Sequence, residues 1–394
     1  MKKIIFNRTE KQRKRYLFYA VVVTVIVSAT FVSCIKNVFQ DEKPAWRLTL
    51  DKTSAVLAVK NTLTLKAEIY PADATNKEII WTSDNPSVAT VKNGTVSAIA
   101  DGIVVITATT KDGNCKGNCT ILVTSKTIYM AGMVKGKATL WKNGVLQELE
   151  DEYNSMYPHI VFSVFVSDNG DVYVAGRVNE DARLWKNGVL QNLEDANGAV
   201  AYSVFVFEND VYVAGQKRGG YWNARLWKNG IIQNLEKTDY YEGEAYSVFV
   251  SDNNVYVVGE TDGAKLWKNG IIQNMEDIGS AYYASVFVSG NDVYVAGSGL
   301  WKNGIVQKLI DGNSYTNTRS VFVYENDVYV IGSIGNVLTL WKNGVKQALE
   351  GASSCYTSSL FVSDNNVYVG GFRKLWVNGK AFPLDGEFGY VFVK

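Results

Sequence analysis

From residue 126 to the end the chain alternates runs that are apolar at nearly every position with runs that are polar at every second one. One unit reads Ser203-Val204-Phe205-Val206, a turn, then Val211-Tyr212-Val213-Ala214-Gly215. A variable stretch follows, then Ala224-Arg225-Leu226-Trp227-Lys228, the pair Asn229-Gly230, and Ile231-Ile232-Gln233-Asn234-Leu235-Glu236. β-Branched and aromatic runs bounded by turn residues predict strands. Asn-Gly between them predicts a tight hairpin, because both turn residues take positive φ. The unit therefore predicts four strands. The Val-Phe-Val and Val-Tyr-Val runs read as inner strands buried on both faces. The alternating Gln-Asn-Leu-Glu run reads as the outer one.

The third strand carries a fixed phrase. Leu-Trp-Lys-Asn-Gly stands at Leu140–Gly144, Leu184–Gly188, Leu226–Gly230, Leu266–Gly270, Leu300–Gly304 and Leu340–Gly344, and Leu375–Gly379 repeats it with Val377 in place of Lys. Repetition at 34 to 44 residues marks one stacked supersecondary unit. Seven four-stranded units predict a seven-bladed β-propeller. The region opens on a second strand, Ile128–Gly132, and ends on a first strand, Tyr390–Val393, so the C-terminal strand is expected to complete the first blade. The resemblance to known propellers is architectural, since the Gly-His and Trp-Asp marks of WD repeats are absent. Burying one indole removes about 200 Å² from water, an upper bound of roughly 5 kcal/mol per blade. The seven repeated Trp, and the repeated Tyr173, Tyr212, Tyr256, Tyr294, Tyr329 and Tyr368, are therefore read as packing wedges.

Between Trp46 and Thr124 short strands such as Leu63–Ala67 and Ile103–Ala108 alternate with turns such as Asn93-Gly94 and Asp112-Gly113, which predicts a small β-sandwich. The strings Tyr70–Lys77, Ile80–Asp84, Pro86–Val91, Asn93–Val96 and Ile106–Thr110 resemble the bacterial Ig-like domain, group 2. The resemblance implies an extracellular spacer or adhesion module, with Trp81 as a core plug and Asn93-Gly94 as a turn. It implies no binding residue. Cys115 and Cys119 bracket a three-residue turn and either pair in an oxidising compartment or stay as buried thiols.

Charge is unevenly placed. The 394 residues hold 40 basic and 39 acidic side chains, but seven of the basic ones and only Glu10 of the acidic ones precede Cys34. The remainder is net acidic, which argues against nucleic-acid binding. A basic stretch, an apolar run over Leu17–Val32 and Phe31-Val32-Ser33-Cys34 form an export signal. The cysteine placement resembles a lipobox, with Phe31 where Leu is usual. That implies cleavage after Ser33 and lipidation of Cys34; an uncleaved anchor is the alternative. The expected order is a signal at 1–33, a tether at 34–45, an Ig-like domain at 46–125 and a propeller at 126–394. The localisation is exported, lipid-anchored to the outer membrane or cell surface.

Chemistry is sparse. One histidine, His159, leaves no His-rich metal site and no nucleophile-elbow string surrounds it. Asp168-Asn169-Gly170-Asp171 lacks the later ligands of a calcium loop. Neither a catalytic group, nor a metal, nor a cofactor is assigned. The constant hairpin turns share one face of the disc, and the second-to-third and inter-blade loops share the other. Those variable loops carry Tyr153, Tyr157, His159, Arg218, Tyr221, Trp222, Tyr240, Tyr241, Tyr282, Tyr315 and Arg319. Tyr, Trp and Arg are enriched at binding hot spots. The reading is a non-catalytic binding or adhesion surface for glycan or protein. The alternatives are a glycoside hydrolase using carboxylates at the propeller mouth and a purely structural surface protein.

Overall fold

A computed structural model describes residues 43–149, 159–219, 221–236, 243–261, 263–275, 282, 284–307, 309, 316–335, 337–352, 359–384 and 387–394. The expected leader at 1–33 and Cys34 lie outside these residues. The described chain is all β.

Trp46 to Thr124 fold as the expected sandwich. One sheet is ordered Ser54–Ala58, Lys116–Thr124, Gly102–Thr110, Ile79–Ser83; the facing strands are Thr62–Thr64, Thr95–Ala98 and Ala89–Lys92, with Arg47–Leu50 paired to Ala67–Tyr70. The core gathers Leu65, Val96, Val104, Ile106, Cys119 and Ile121. Trp81 packs on it, and a Cβ at Gly94 would fall 3.2 Å from the Trp81 ring. Gly94 (φ +80°) is thus needed for both turn geometry and space. Cys115 and Cys119 are free thiols in separate apolar clusters.

The rest forms seven four-stranded antiparallel sheets, one per repeat. Blade 2 shows the pattern: Ile160–Val166, Val172–Val178, Asp181–Lys186 and Val189–Gln191. Blade 1 is closed by the C-terminal strand Glu387–Val393, paired antiparallel to Ile128–Val134 with Ile128 opposite Val393. The first strands of the seven blades stand side by side around an axis. Phe165, Phe205, Phe249, Phe287, Phe322, Phe361 and Phe392 touch in sequence and back to Phe165, at centroid spacings of 4.6–5.1 Å. If coplanar, seven rings about 4.8 Å apart lie about 5.5 Å from the axis. An atom on the axis needs about 3.5–4 Å from carbon, so this collar passes at most a single file of atoms.

The repeated residues lock blade to blade. Each Trp enters the cluster of the preceding blade; Trp227, for example, packs on Tyr173, Leu184 and Leu193. Ser163, Ser203, Ser247, Ser285 and Ser359 each accept the backbone N–H of a Val on the next first strand, at 2.8–3.3 Å. The outer strand is shorter than the sequence pattern predicts. It ends at Gln191 or Gln233, and the following Asn-Leu-Glu turns toward the next blade. There Glu194, Glu236 and Glu350 accept the indole N–H of Trp227, Trp267 and Trp376 on their carbonyls. Their carboxylates accept N–H groups of the same neighbouring hairpin.

The Asn of the repeated phrase does more than turn the chain. In all seven blades its Oδ1 accepts the N–H that opens the second strand, at 2.8–2.9 Å. The Lys before it lies 5.3–5.6 Å over the second-strand Tyr in six blades. In four it also pairs with an Asp of the adjacent turn. Val377 departs from this because its site is covered. Val377, Leu375 and Phe382 of blade 7 share one buried cluster with Ile103 and Leu122 of the Ig-like domain. Val56 of that domain would lie 3.0 Å from a Cβ on Gly144. The sandwich is therefore seated on the constant-turn side of blades 7 and 1.

Candidate functional site

First strands run from the inter-blade loops toward the constant turns, so their N-terminal ends ring the mouth on the variable-loop side. In five blades this end carries a register shift in its pairing to the second strand. In blade 4, for example, Ala245 faces Gly259 and Ser247 faces Val258, leaving Tyr246 unpaired. A bulge of this kind re-aims the extra side chain. The Gly closing the Val-Tyr-Val-x-Gly run makes it possible: a Cβ on Gly259 would stand 1.9 Å from the Glu244 carbonyl, and one on Gly215 1.9 Å from that of Val200.

The residue before the shared Ser position, three before the Phe collar, differs in every blade but two: Phe162, Tyr202, Tyr246, Ala284, Arg319, Ser358 and Gly389. Phe162 meets Tyr202 edge-on at 5.0 Å, and Tyr202 meets Tyr246 at 5.4 Å. One side of the mouth is thus an aromatic arc over blades 2 to 4. Small residues stand at Ala284 and Gly389, and the half-buried Arg319 occupies blade 6. Phe162 and Tyr202 are half-buried and Tyr246 is buried.

A polar cluster backs the arc where blade 3 meets blade 4. Gln216 Nε2 donates to Tyr202 Oη at 2.7 Å. Tyr246 Oη donates to Glu244 Oε2. Glu260 stands directly opposite Glu244 across the first two strands of blade 4, which puts their Cβ atoms about 4.5–5.5 Å apart on one face. Burial raises the Glu244 carboxyl above its usual range; the Glu260 charge raises it further, against hydrogen bonds from Tyr246 and Gln216. Burial and then the Glu244 contact push the Tyr246 hydroxyl up.

Of the residues singled out from sequence, Arg319 is at the mouth. Arg218 is exposed, but not on a loop. The strands Asp210–Gly219 and Tyr221–Lys228 pair through to their ends here, with Arg218 opposite Trp222 and Gly219 opposite Tyr221. Tyr282 is 60% exposed beside blade 5. His159 is corrected: it is fully buried, its backbone N–H bonded to the Gly136 carbonyl, and so presents no surface to a ligand. Tyr153, Tyr157, Tyr240, Tyr241 and Tyr315 lie outside the described residues. Phe162, Tyr202, Tyr246, Gln216 and Glu244 escaped the sequence reading because they sit inside strands read as scaffold. Their signal was variation at one position of an otherwise constant strand. Asp168–Asp171 is a hairpin turn in which Asp171 pairs with Lys186, and no group of three or more metal-ligating side chains occurs among the described residues.

Residues 47–121 match the family model of the bacterial Ig-like domain (group 2). Three relatives share limited stretches. Two are uncharacterized proteins of Clostridium acetobutylicum, 34% identical over 120 residues (29% of this chain, 12% of that one) and 40% over 82 residues (20% and 21%). The third is an Ig-like virion protein of Serratia phage KSP90, 41% identical over 78 residues (19% and 30%). The chain spans less than a third of the length of each. Among solved structures, the computationally designed Ika8 protein aligns with a TM-score of 0.44 and 19% identity over 74% of this chain and 88% of its own. The WD40 propeller domain of Doa1 aligns at 0.45 and 13% over 62% and 86%.

Proposed function

We propose that this is an exported, lipid-anchored binding protein that takes a glycan at the variable-loop mouth of its propeller and does not cleave it. The observation that carries this reading is the arc Phe162–Tyr202–Tyr246. It is built from residues that share no packing role across the blades and is set above a collar too narrow to pass a ligand. Aromatic faces with adjacent polar groups suit a sugar ring, which offers an apolar C–H face and hydroxyls at its edge. The Ig-like domain supports the reading by position. It covers the constant turns of blades 7 and 1, on the side of the disc away from the mouth. A hydrolase needs two carboxyl groups on opposite sides of the scissile bond; Glu244 and Glu260 stand side by side on one wall.

The test is a glycan array followed by calorimetry on the exported chain, with Phe162→Ala and Tyr202→Ala alone and together. Affinity for an array hit should fall at least tenfold in the double variant while the Tm changes little. Binding that survives the double variant moves the site to the extended strand pair that carries Tyr221 and Trp222; an array with no hit ends the glycan reading.

A further inference from the structure

The Ig-like domain has two poles. At one, Gly102 stands opposite Val123, and Ile103 and Leu122 enter the cluster with Val377 and Phe382 of blade 7. Strands Gly102–Thr110 and Lys116–Thr124 lead from that junction to the other pole. They separate the two by about 27 Å at about 3.3 Å per residue. At the far pole the Cys115 thiol donates to the Ala45 carbonyl, and Lys43 holds Thr75 and Asp73. The described chain therefore begins at the pole away from the propeller.

That pole is aromatic. Trp46 is 68% exposed although its backbone N–H is held by the Tyr70 carbonyl. Its ring lies 6.3 Å from that of Tyr70, itself 36% exposed, and the Arg47 guanidinium lies 5.6 Å from the Tyr70 centroid. A groove of about 340 Å³ lined by Ile69, Tyr70, Ala72, Lys77 and Ile79 continues this surface. Lys43 pairs with Asp73 and Lys111 with Glu78, so charge here is largely matched. Indole and phenol rings with an apolar body and a polar edge concentrate at membrane–water interfaces. Position selects that partner. Only residues 35–45 lie between Cys34 and Trp46, and fully extended they reach at most about 40 Å.

We propose that the Trp46–Tyr70 pole rests in the headgroup layer of the membrane that holds the lipid, so that the sandwich stands on the bilayer and the propeller mouth faces away from it. The inference rests on the lipid-anchored reading and adds where the folded chain meets the membrane. A lipid on a tether leaves the orientation of the disc free; a folded contact beside it fixes that orientation.

The test uses the full chain, produced with its leader and reconstituted into phosphatidylcholine vesicles with or without a lipid brominated near the headgroup. The Trp46 signal is the fluorescence difference between this chain and Trp46→Ala, an exposed substitution that should leave the Tm within a few degrees; Trp46→Phe serves if Trp46→Ala misfolds. Brominated lipid should quench that signal at least twofold, and equally at high salt, which screens exposed charges. A chain held on vesicles whose Trp46 is unquenched by brominated lipid and open to acrylamide overturns the contact and leaves the anchor standing. Trp46 shielded from acrylamide yet unquenched by brominated lipid shows the pole covered by the tether or a second copy, which overturns the lipid as partner. Quenching that needs anionic lipid and vanishes in high salt overturns the aromatic basis. A chain that washes off the vesicles overturns the anchor and the contact together.

Discussion

Restoring the repeat at its one departure, Val377→Lys, is expected to harm the protein. In blades 2, 3, 5 and 6 the equivalent Lys keeps 38–41% of its side chain in water, lies over a Tyr and pairs with an Asp. Each such pair is exposed, so it is worth at most about 1 kcal/mol. Blade 7 offers none of this. Its turn residue is Asn366, its Tyr368 is 2% exposed, and Val377 is 6% exposed against Ile103 and Leu122. Lysine there forfeits part of a buried Val contact, about 1.5–3 kcal/mol at full burial. It also sets an ammonium in an apolar cluster with no carboxylate partner, and an uncompensated buried charge costs about 3–5 kcal/mol. Partial escape of the long side chain toward Asp101 or Asp364 lowers this, so the net is about 3–5 kcal/mol. It should appear as a lower denaturant midpoint and as early release of the Ig-like domain, read by limited proteolysis near Ser125. The control, Lys342→Val in blade 6, should shift stability by no more than about 1 kcal/mol. A Val377→Lys protein as stable as the original, with the junction still protected, would refute the seating of the sandwich on blade 7.

Three further outcomes follow from particular residues. Burial, then the charges of Asp101 and Asp364, push the Tyr368 hydroxyl up to about 12 from 10.0. The unfolded chain therefore loses this proton first, so the stability it contributes is intact below pH 10 and drains away between pH 10 and 12. At pH 11 the loss is about 1.4 kcal/mol, and urea midpoints should show Tyr368→Phe losing that much less than the original between pH 9 and 11. Gly259→Ala should cost at least about 1–3 kcal/mol, because its Cβ meets the Glu244 carbonyl and the strand must shift; array ligands should be lost with it, and a variant of unchanged stability would remove the close approach at the bulge. Burial lifts the Cys119 thiol to about 11, so at pH 8 peptide mapping should find Cys119 unlabelled by a thiol reagent in the folded chain and labelled once it is unfolded.

What the sequence determined alone is the scaffold: blade count, strand register, closure by the C-terminal strand, and the Ig-like module before it. These rest on local chemistry repeated in register. Asn143, Asn187 and their counterparts need positive φ wherever they occur, and each Trp needs a neighbouring blade, so the pattern is legible without coordinates. Tertiary structure decided what depends on residues meeting across blades or domains. Tyr202 and Tyr246 are forty-odd positions apart and become an arc only because bulges turn both inward. Glu244 and Gln216 belong to different sheets. His159 looked like a loop residue and is buried by the fold. Val377 looked like drift in a repeat, and only the seated Ig-like domain gives it a reason: an apolar side chain is favoured where a second domain excludes the water its lysine would need.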